Sequence, residues 1–333
     1  MRNNPLINIF ASPYVSKIMS CFLGQFVTIY MMHRPRATNG AYEGTSPELL
    51  ELYIKQAQKR GFHFASVEEL IVDALSGKKQ QHPTLSFTLD DGYQDQLDRL
   101  VPVLLQYKCK PTLFVIANMI DTNEWPWDAK LAYGIWNTTT TQIELRQGNS
   151  LKTLILDTPS NRISARRQLT TYAKKLPNAQ LENFLSEILP QLKIDFSSPP
   201  KEYQPASWKS LQEAETKGLY IGSHGSSHRV FSALSDAEIT AELESAKATL
   251  EKYIKNPSRV FCYPSGKLSD FSKSHSSLLK NAGYIGALSS IPGNPNYKTI
   301  QSAPFNICRH SIPHNLNTFI RYSSWLEYLR SNI

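Results

Sequence analysis

The chain contains no CxxC pair, no low-complexity tract and no apolar run long enough to cross a bilayer. Four cysteines in 333 residues (Cys21, Cys109, Cys262 and Cys308) are too few and too scattered for a zinc ribbon or a disulfide framework. They read as reduced, mostly buried thiols. The apolar stretch Met19 to Met32 is interrupted by Ser20, Gly24, Gln25 and Thr28, and it falls short of the roughly 20 residues a membrane helix requires. Upstream, Pro13, Ser16 and Lys17 break any signal-peptide core, and no clean small-residue cleavage site follows. Residues 1–25 therefore read as the N-terminal segment of a soluble, cytoplasmic protein, with peripheral contact to an anionic membrane as the one membrane role left open. No recognised nucleic-acid module is present, and the 36 basic residues are dispersed rather than clustered. The net charge of +8, with a pI near 9.1, thus points away from nucleic acid and toward acidic polysaccharide, a diphosphate-linked sugar or a membrane surface.

What is present is an ordinary folded composition, 41% hydrophobic and 19% charged, in a chain of normal length for a decorated α/β barrel. One phrase recurs: an amphipathic helix, a glycine, then a strand with an early aromatic. It is written in Lys59-Arg60-Gly61-Phe62, Lys217-Gly218-Leu219-Tyr220 and Asn281-Ala282-Gly283-Tyr284. Glycine suits the left-handed residue after a helix, and the short step into a strand is half of a βαβ unit. Further strands are expected at Phe26–Met32, Thr84–Leu89, Thr112–Ala117, Arg259–Tyr263 and Phe305–Arg309, apolar on both faces as parallel strands between helices must be. Ser46-Pro47 opens one helix with proline at its first position. Ser235-Asp236-Ala237-Glu238 is a capping box before an apolar series at three- and four-residue spacing. These elements predict an α/β barrel or doubly wound sheet.

From about Asp121 to Ser210 the alternation stops. An aromatic loop (Trp125, Pro126, Trp127, Tyr133, Trp136) leads into a polar tract and a helical pair whose second member carries Leu181, Phe184, Leu185, Ile188 and Leu192 at helical period. The expectation is a helical insertion at about 121–210 within a body spanning 26–330. Its tryptophans either stack on sugar rings or pack the insertion.

Two stretches carry the chemistry. Thr88-Leu89-Asp90-Asp91-Gly92 sets adjacent carboxylates at the end of an apolar strand, and Ser223-His224-Gly225-Ser226-Ser227-His228 sets two imidazoles four residues apart after another. One carboxylate and two histidines form a ligand set that leaves positions open on a divalent metal. A second carboxylate alongside can act as a base toward water. Adjacent side chains on a regular strand point to opposite faces, so both aspartates can serve one site only if the chain bends, which Gly92 permits. A helical turn at the second motif would bring the imidazoles to one side.

At these residues the chain resembles the polysaccharide deacetylase family, carbohydrate esterase family 4, whose motifs read T-F-D-D-G and H-[S/T]-x-x-H. The resemblance spans roughly 26–330 and implies a distorted (β/α) barrel of about seven parallel strands. It further implies that Asp91, His224 and His228 hold one divalent ion, zinc or another first-row metal, while Asp90 is the general base. The implied reaction removes acetyl groups from N-acetylhexosamine units of a polysaccharide, oligosaccharide or lipid-linked precursor. The third motif departs from the family's R-x-P-Y. Here Cys262-Tyr263-Pro264-Ser265-Gly266 resembles a Y-P-x-G variant, with the Ser265 backbone N–H as a candidate oxyanion donor beside Tyr263 and Pro264. Arg309 is the candidate to orient the base, and His310 the candidate general acid, with His314 and His275 as rivals. His33, in Met31-Met32-His33-Arg34, is a further candidate for the cleft wall. Alternatives are O-deacetylation, hydrolysis of a non-sugar amide, or a non-catalytic carbohydrate-binding scaffold.

Overall fold

The computed structural model describes residues 12–36, 44–148 and 150–332. Ten strands follow in chain order: β1 (Val27–Met32), β2 (His63–Phe64), β3 (Thr84–Asp91), β4 (Thr112–Val115), β5 (Gln142–Gln147), β6 (Ser150–Ile155), β7 (Tyr220–Ser223), β8 (Val260–Cys262), β9 (Gly286–Leu288) and β10 (His310–Ser311). Seven of them form a curled, wholly parallel sheet in the order β10-β1-β3-β4-β7-β8-β9, with β2 added alongside β3. With helices packed around it, this is the distorted (β/α) barrel expected of the sequence.

Burial explains the strand composition. Every residue of β1 is buried, and β3 is buried up to Asp90. Tyr30, Phe87 and Leu89 pack beneath the helix Pro47–Lys59, where the Tyr53 ring stacks on Phe319 at 4.3 Å. Burying one such side chain stabilises by about 1.5–3 kcal/mol, so the apolar continuity of β1 and β3 roots the strand ends that carry the site. The helix Pro47–Lys59 starts at the Ser46 cap, and the helix Asp236–Tyr253 starts at the reciprocal Ser235–Glu238 box, both as the sequence predicts.

The last expected strand differs. Instead of a continuous Phe305–Arg309 strand, only Ile307 bridges to Leu288, and β10 begins at His310, paired with Tyr30. The segment crosses from β9 to β1: the Arg309 N–H reaches the Ile291 carbonyl and the Ile312 N–H reaches Met31. A segment that spans the seam between first and last strands cannot pair regularly with both.

The stretch 121–210 also differs from an all-helical expectation. It contains the helices Trp127–Asn137, Pro159–Ala173 and Asn178–Ile188, but β5 and β6 form a separate antiparallel hairpin between them. Ile143, Leu145 and Leu154 of the hairpin pack with Leu131, Leu169 and Phe184 in a core of their own. The hairpin escapes notice because it is half exposed and polar: Gln142, Glu144 and Arg146 alternate with the buried residues. Within the N-terminal segment, residues 1–11 lie outside the described residues, and the helix Pro13–Leu23 exposes Tyr14, Ile18 and Phe22. Among the described residues no helix is long and apolar enough to cross a membrane. No disulfide forms among the described residues, and Cys21 is exposed rather than buried.

Candidate active site

The motif residues meet at the C-terminal ends of the strands, where parallel α/β folds build their sites. They line a cleft of about 700 Å³. A second cavity, about 600 Å³, opens at the other end beneath Thr84 and Tyr220 and contains none of them.

The strand β3 ends in two successive left-handed residues, Asp91 (φ 86°) and Gly92 (φ 98°). The chain thereby leaves the strand plane, and both carboxylates face the cleft. A Cβ at Gly92 would sit 2.9 Å from Val115 Cγ1 in addition to the φ penalty, so glycine is required there twice over. The turn is clamped by fully buried Gln96. Its Oε1 accepts from the Gly92 and Tyr93 N–H groups at 3.1 and 2.9 Å, and its Nε2 donates to the carbonyls of Asp90 and His33.

The histidine pair is not on a helix. His224 follows β7, and the chain then loops through Gly225 (φ 83°) to His228, itself left-handed at φ 58°. The loop geometry replaces helical spacing in bringing the rings together, with centroids 5.1 Å apart. Glu242 anchors it by accepting from the Ser226 and Ser227 N–H groups at 2.9 and 3.0 Å.

Both Nε2 atoms approach one oxygen: His224 and His228 lie 3.7 and 3.8 Å from Asp91 Oδ1. That oxygen is buried and has no hydrogen-bond partner. Each Nδ1 is engaged on the far side of its ring, His224 with the Cys262 carbonyl at 2.7 Å and His228 with Asp128 Oδ1 at 3.2 Å. Nδ1–H donation of this kind leaves the Nε2 lone pairs for a cation. The orphaned carboxylate oxygen and the two directed imidazoles fit a divalent ion. Burial pulls the His224 imidazole down to about 4. Burial acts the same way on His228, but the Asp128 carboxylate outweighs it and lifts that ring to about 9.

Asp90 is held differently. Arg309 donates to it through two nitrogens, Nη1 to Oδ1 at 2.8 Å and Nη2 to Oδ2 at 3.0 Å, with both side chains nearly inaccessible. Arg309 is itself tied by Nε to the Ser289 carbonyl and by Nη1 to Thr88 Oγ1. Burial would raise the Asp90 carboxyl, yet the guanidinium holds it well below the usual carboxylate range. Cys262 Sγ lies 3.1 Å from Arg309 Nη2, and burial pushes the thiol well up, so it stays neutral beside the pair.

The family model for polysaccharide deacetylases matches residues 77–287. The chain belongs to that family. No curated protein matches it in sequence, while solved structures share its fold. It resembles a Streptococcus pyogenes deacetylase, PplD, in complex with acetate, at 14% identity and TM-score 0.59, covering 90% of this chain and 98% of that one. IcaB from Ammonifex degensii gives 14% and 0.57, with 91% and 97% covered. A de-N-acetylase from Aggregatibacter actinomycetemcomitans gives 12% and 0.53, with 89% and 99% covered. At such identities the likeness is one of fold. Family membership supports hydrolytic deacetylation of a carbohydrate.

The structure of this deacetylase-family chain gathers Asp90, Asp91, His224, His228, Ser265 and His33 around one cleft. It does not bring His310 there. On β10 the side chains alternate, so Ser311 faces the cleft while His310 points away, bonded to Asn294 Oδ1 at 2.7 Å and stacked on Tyr322 at 4.6 Å. Burial lowers that imidazole to about 4. His275 packs on Phe231, also outside the cleft, and His314 is not among its lining residues. The Tyr263 side chain turns inward, donating to the Phe305 carbonyl and stacking on Phe271, so only its main chain is available at the cleft. Trp125 and Trp127 are packed rather than offered to a sugar: Trp125 sits among Tyr133, Phe196 and Tyr203, and Trp127 Nε1 donates to the His228 carbonyl. Trp136 is partly exposed but away from the cleft. Sequence reading missed Asp128, Gln96 and Lys174. Asp128 stands in the first turn of the helix Trp127–Asn137, and the signal there was an acidic residue directly after the Trp125-Pro126-Trp127 cluster.

Proposed function

We propose that this chain is a metal-dependent N-deacetylase acting on the acetamide of N-acetylhexosamine units in a polysaccharide, oligosaccharide or lipid-linked glycan precursor. The observation that carries the reading is the unpartnered Asp91 Oδ1 facing both Nε2 atoms, with a second, charge-locked carboxylate next to it. Asp91, His224 and His228 would hold the ion. Bound there, a divalent metal supplies Lewis acidity toward a carbonyl oxygen and makes water more acidic.

The remaining work falls to the protein. Arg309 keeps Asp90 ionised and aimed, which lets Asp90 take the proton of the attacking water. Ser265, left-handed at φ 62° on the cleft wall, would offer its backbone N–H to a developing oxyanion. His33 replaces His310 as the proton donor to the leaving amine. It is the remaining imidazole of the cleft, half exposed, with Nε2 at 3.9 Å from Asp90 Oδ2. The description of one structural relative as a de-N-acetylase supports nitrogen over oxygen as the leaving atom.

The test is acetate release from N-acetylated and O-acetylated hexosamine oligomers, using metal-stripped protein and protein reloaded with Zn²⁺. Release from the N-acetyl substrate only after reloading, and none from Asp91→Ala, is the expected outcome. Equal release by Asp91→Ala would overturn the metal assignment, and preferential release from O-acetyl esters would overturn the substrate.

A further inference from the structure

The cleft has a second chemical character that deacetylation of a neutral sugar does not use. Three cations line it: Arg166, Lys174 and Lys267. Arg166 lies on the helix Pro159–Ala173 and Lys174 caps its end, so both come from the stretch between β4 and β7, while Lys267 follows the Ser265 turn. Lys174 is partly buried and donates to Ser265 Oγ at 2.6 Å, on the turn that lines the cleft.

The surrounding carboxylates are committed elsewhere. Asp90 is bonded to Arg309 and Asp128 to His228. Asp270 accepts from the Lys267 N–H and from Ser269 Oγ, both at 3.0 Å. Among the described residues none of the three cations makes an ion pair with a carboxylate. Asp270 and Asp128 act on Lys174 from a distance, whereas the exposed Arg166 and Lys267 have no carboxylate partner on that wall. Cations gathered on a concave wall raise the local concentration of an anion and orient it. Lysine and arginine are also the donors that phosphate and carboxylate groups use.

We infer that Arg166, Lys174 and Lys267 form an anion subsite, and that the preferred substrate carries a carboxylate or phosphate on, or next to, the N-acetylated sugar. This rests on the deacetylase reading and adds the class of substrate. Leu268, three-quarters exposed at the same rim, offers an apolar edge for the face of the anionic sugar.

The experiment compares kcat/KM on a neutral N-acetylglucosamine oligomer, the same oligomer alternating with a uronic acid, and one carrying a phosphodiester. Because one charge-assisted contact changes binding by about tenfold or more, the anionic substrates should exceed the neutral one by at least about tenfold at low salt. The ratio should shrink as salt rises. It should collapse toward unity in the exposed pair Arg166→Gln/Lys267→Gln, and in Lys174→Gln. Which anionic oligomer is favoured separates carboxylate from phosphate. Binding of the same oligomers to Asp90→Asn, followed by calorimetry, gives a readout independent of turnover. A ratio near unity in the parent, or one that survives the substitutions, overturns the subsite while leaving deacetylation intact. No turnover on any substrate, with anion-selective binding by Asp90→Asn, would overturn the deacetylase reading and keep the subsite.

Discussion

Replacing Arg309 by Met removes the guanidinium that bonds both oxygens of Asp90 and leaves a carboxylate in a site that is almost inaccessible to solvent. Breaking a buried pair from one side costs about 3–5 kcal/mol, because the remaining charge is neither solvated nor compensated. Against a total stability of 5–15 kcal/mol for ordinary domains, that corresponds to a fall in Tm of roughly 10 °C. The sign of the pH dependence is specific. In the parent, the folded pKa of Asp90 lies below its unfolded value of about 3.9. Its stabilisation is therefore complete above that value and is lost only as acid reaches the folded pKa. In Arg309→Met burial, the largest influence on the group, is opposed only by the weaker pull of His224 and His33, so the carboxyl rises. The ionised group then destabilises at neutral pH, so the gap in Tm between variant and parent should narrow from pH 8 to pH 4. The acid limb of kcat/KM should move upward by the same displacement, since a protonated Asp90 cannot act as base. Thermal melts and pH–rate profiles measure both. The double variant Arg309→Met/Asp90→Asn should recover most of the lost Tm without recovering turnover. Arg309→Lys, which keeps the charge and loses the two-nitrogen geometry, covers the case of a poorly folding single variant. Identical melting at pH 7 and an unmoved acid limb in Arg309→Met would show that Arg309 neither compensates nor holds Asp90.

Three further outcomes are expected. With His228 lifted to about 9 by Asp128, that imidazole is protonated at neutral pH before metal binds, so Zn²⁺ loading at pH 7 should release about one proton per ion, and affinity should fall as pH falls. Calorimetry in buffers of different protonation enthalpy reads this, and Asp128→Asn should both weaken metal binding about 10–100-fold and reduce the release. His33→Ala should lower kcat by about 10²–10⁴-fold with metal content unchanged, whereas His310→Ala should keep its turnover and lose stability instead; the reverse pattern would return the acid role to His310. Gly92→Ala, strained in φ and against Val115, should cost about 1–3 kcal/mol in denaturant melts together with most turnover; a melt like the parent's would show that the turn relaxes.

Much of the fold was legible because parallel strands covered on both faces are largely apolar, and β1, β3, β4 and β7 are buried almost throughout with few polar residues other than the motif groups and small hydroxyls. Local chemistry also announced the caps at Ser46 and Ser235, which depend only on neighbours in the chain. The hairpin β5–β6 was not legible, because its alternation is short and set in a polar surround. The strand at Phe305–Arg309 was displaced because its pairing is decided by a seam between two distant strands, a relation that no local pattern encodes.

The same division runs through the site. The order and spacing of Asp90, Asp91, His224 and His228 already specified an acidic pair and an imidazole pair at strand ends, and so the class of chemistry. Which groups complete them depends on contacts between distant elements. Arg309 reaches Asp90 across 219 residues of sequence separation, and Asp128 reaches His228 across 100. His310 lies next to Arg309 in sequence but faces the opposite side of its strand, because successive side chains alternate. His33 lies 57 positions from Asp90 and opens into the cleft beside it. The candidate residues followed from residue type and local spacing; their partnerships followed from strand order and side-chain direction, which exist only once the sheet has curled.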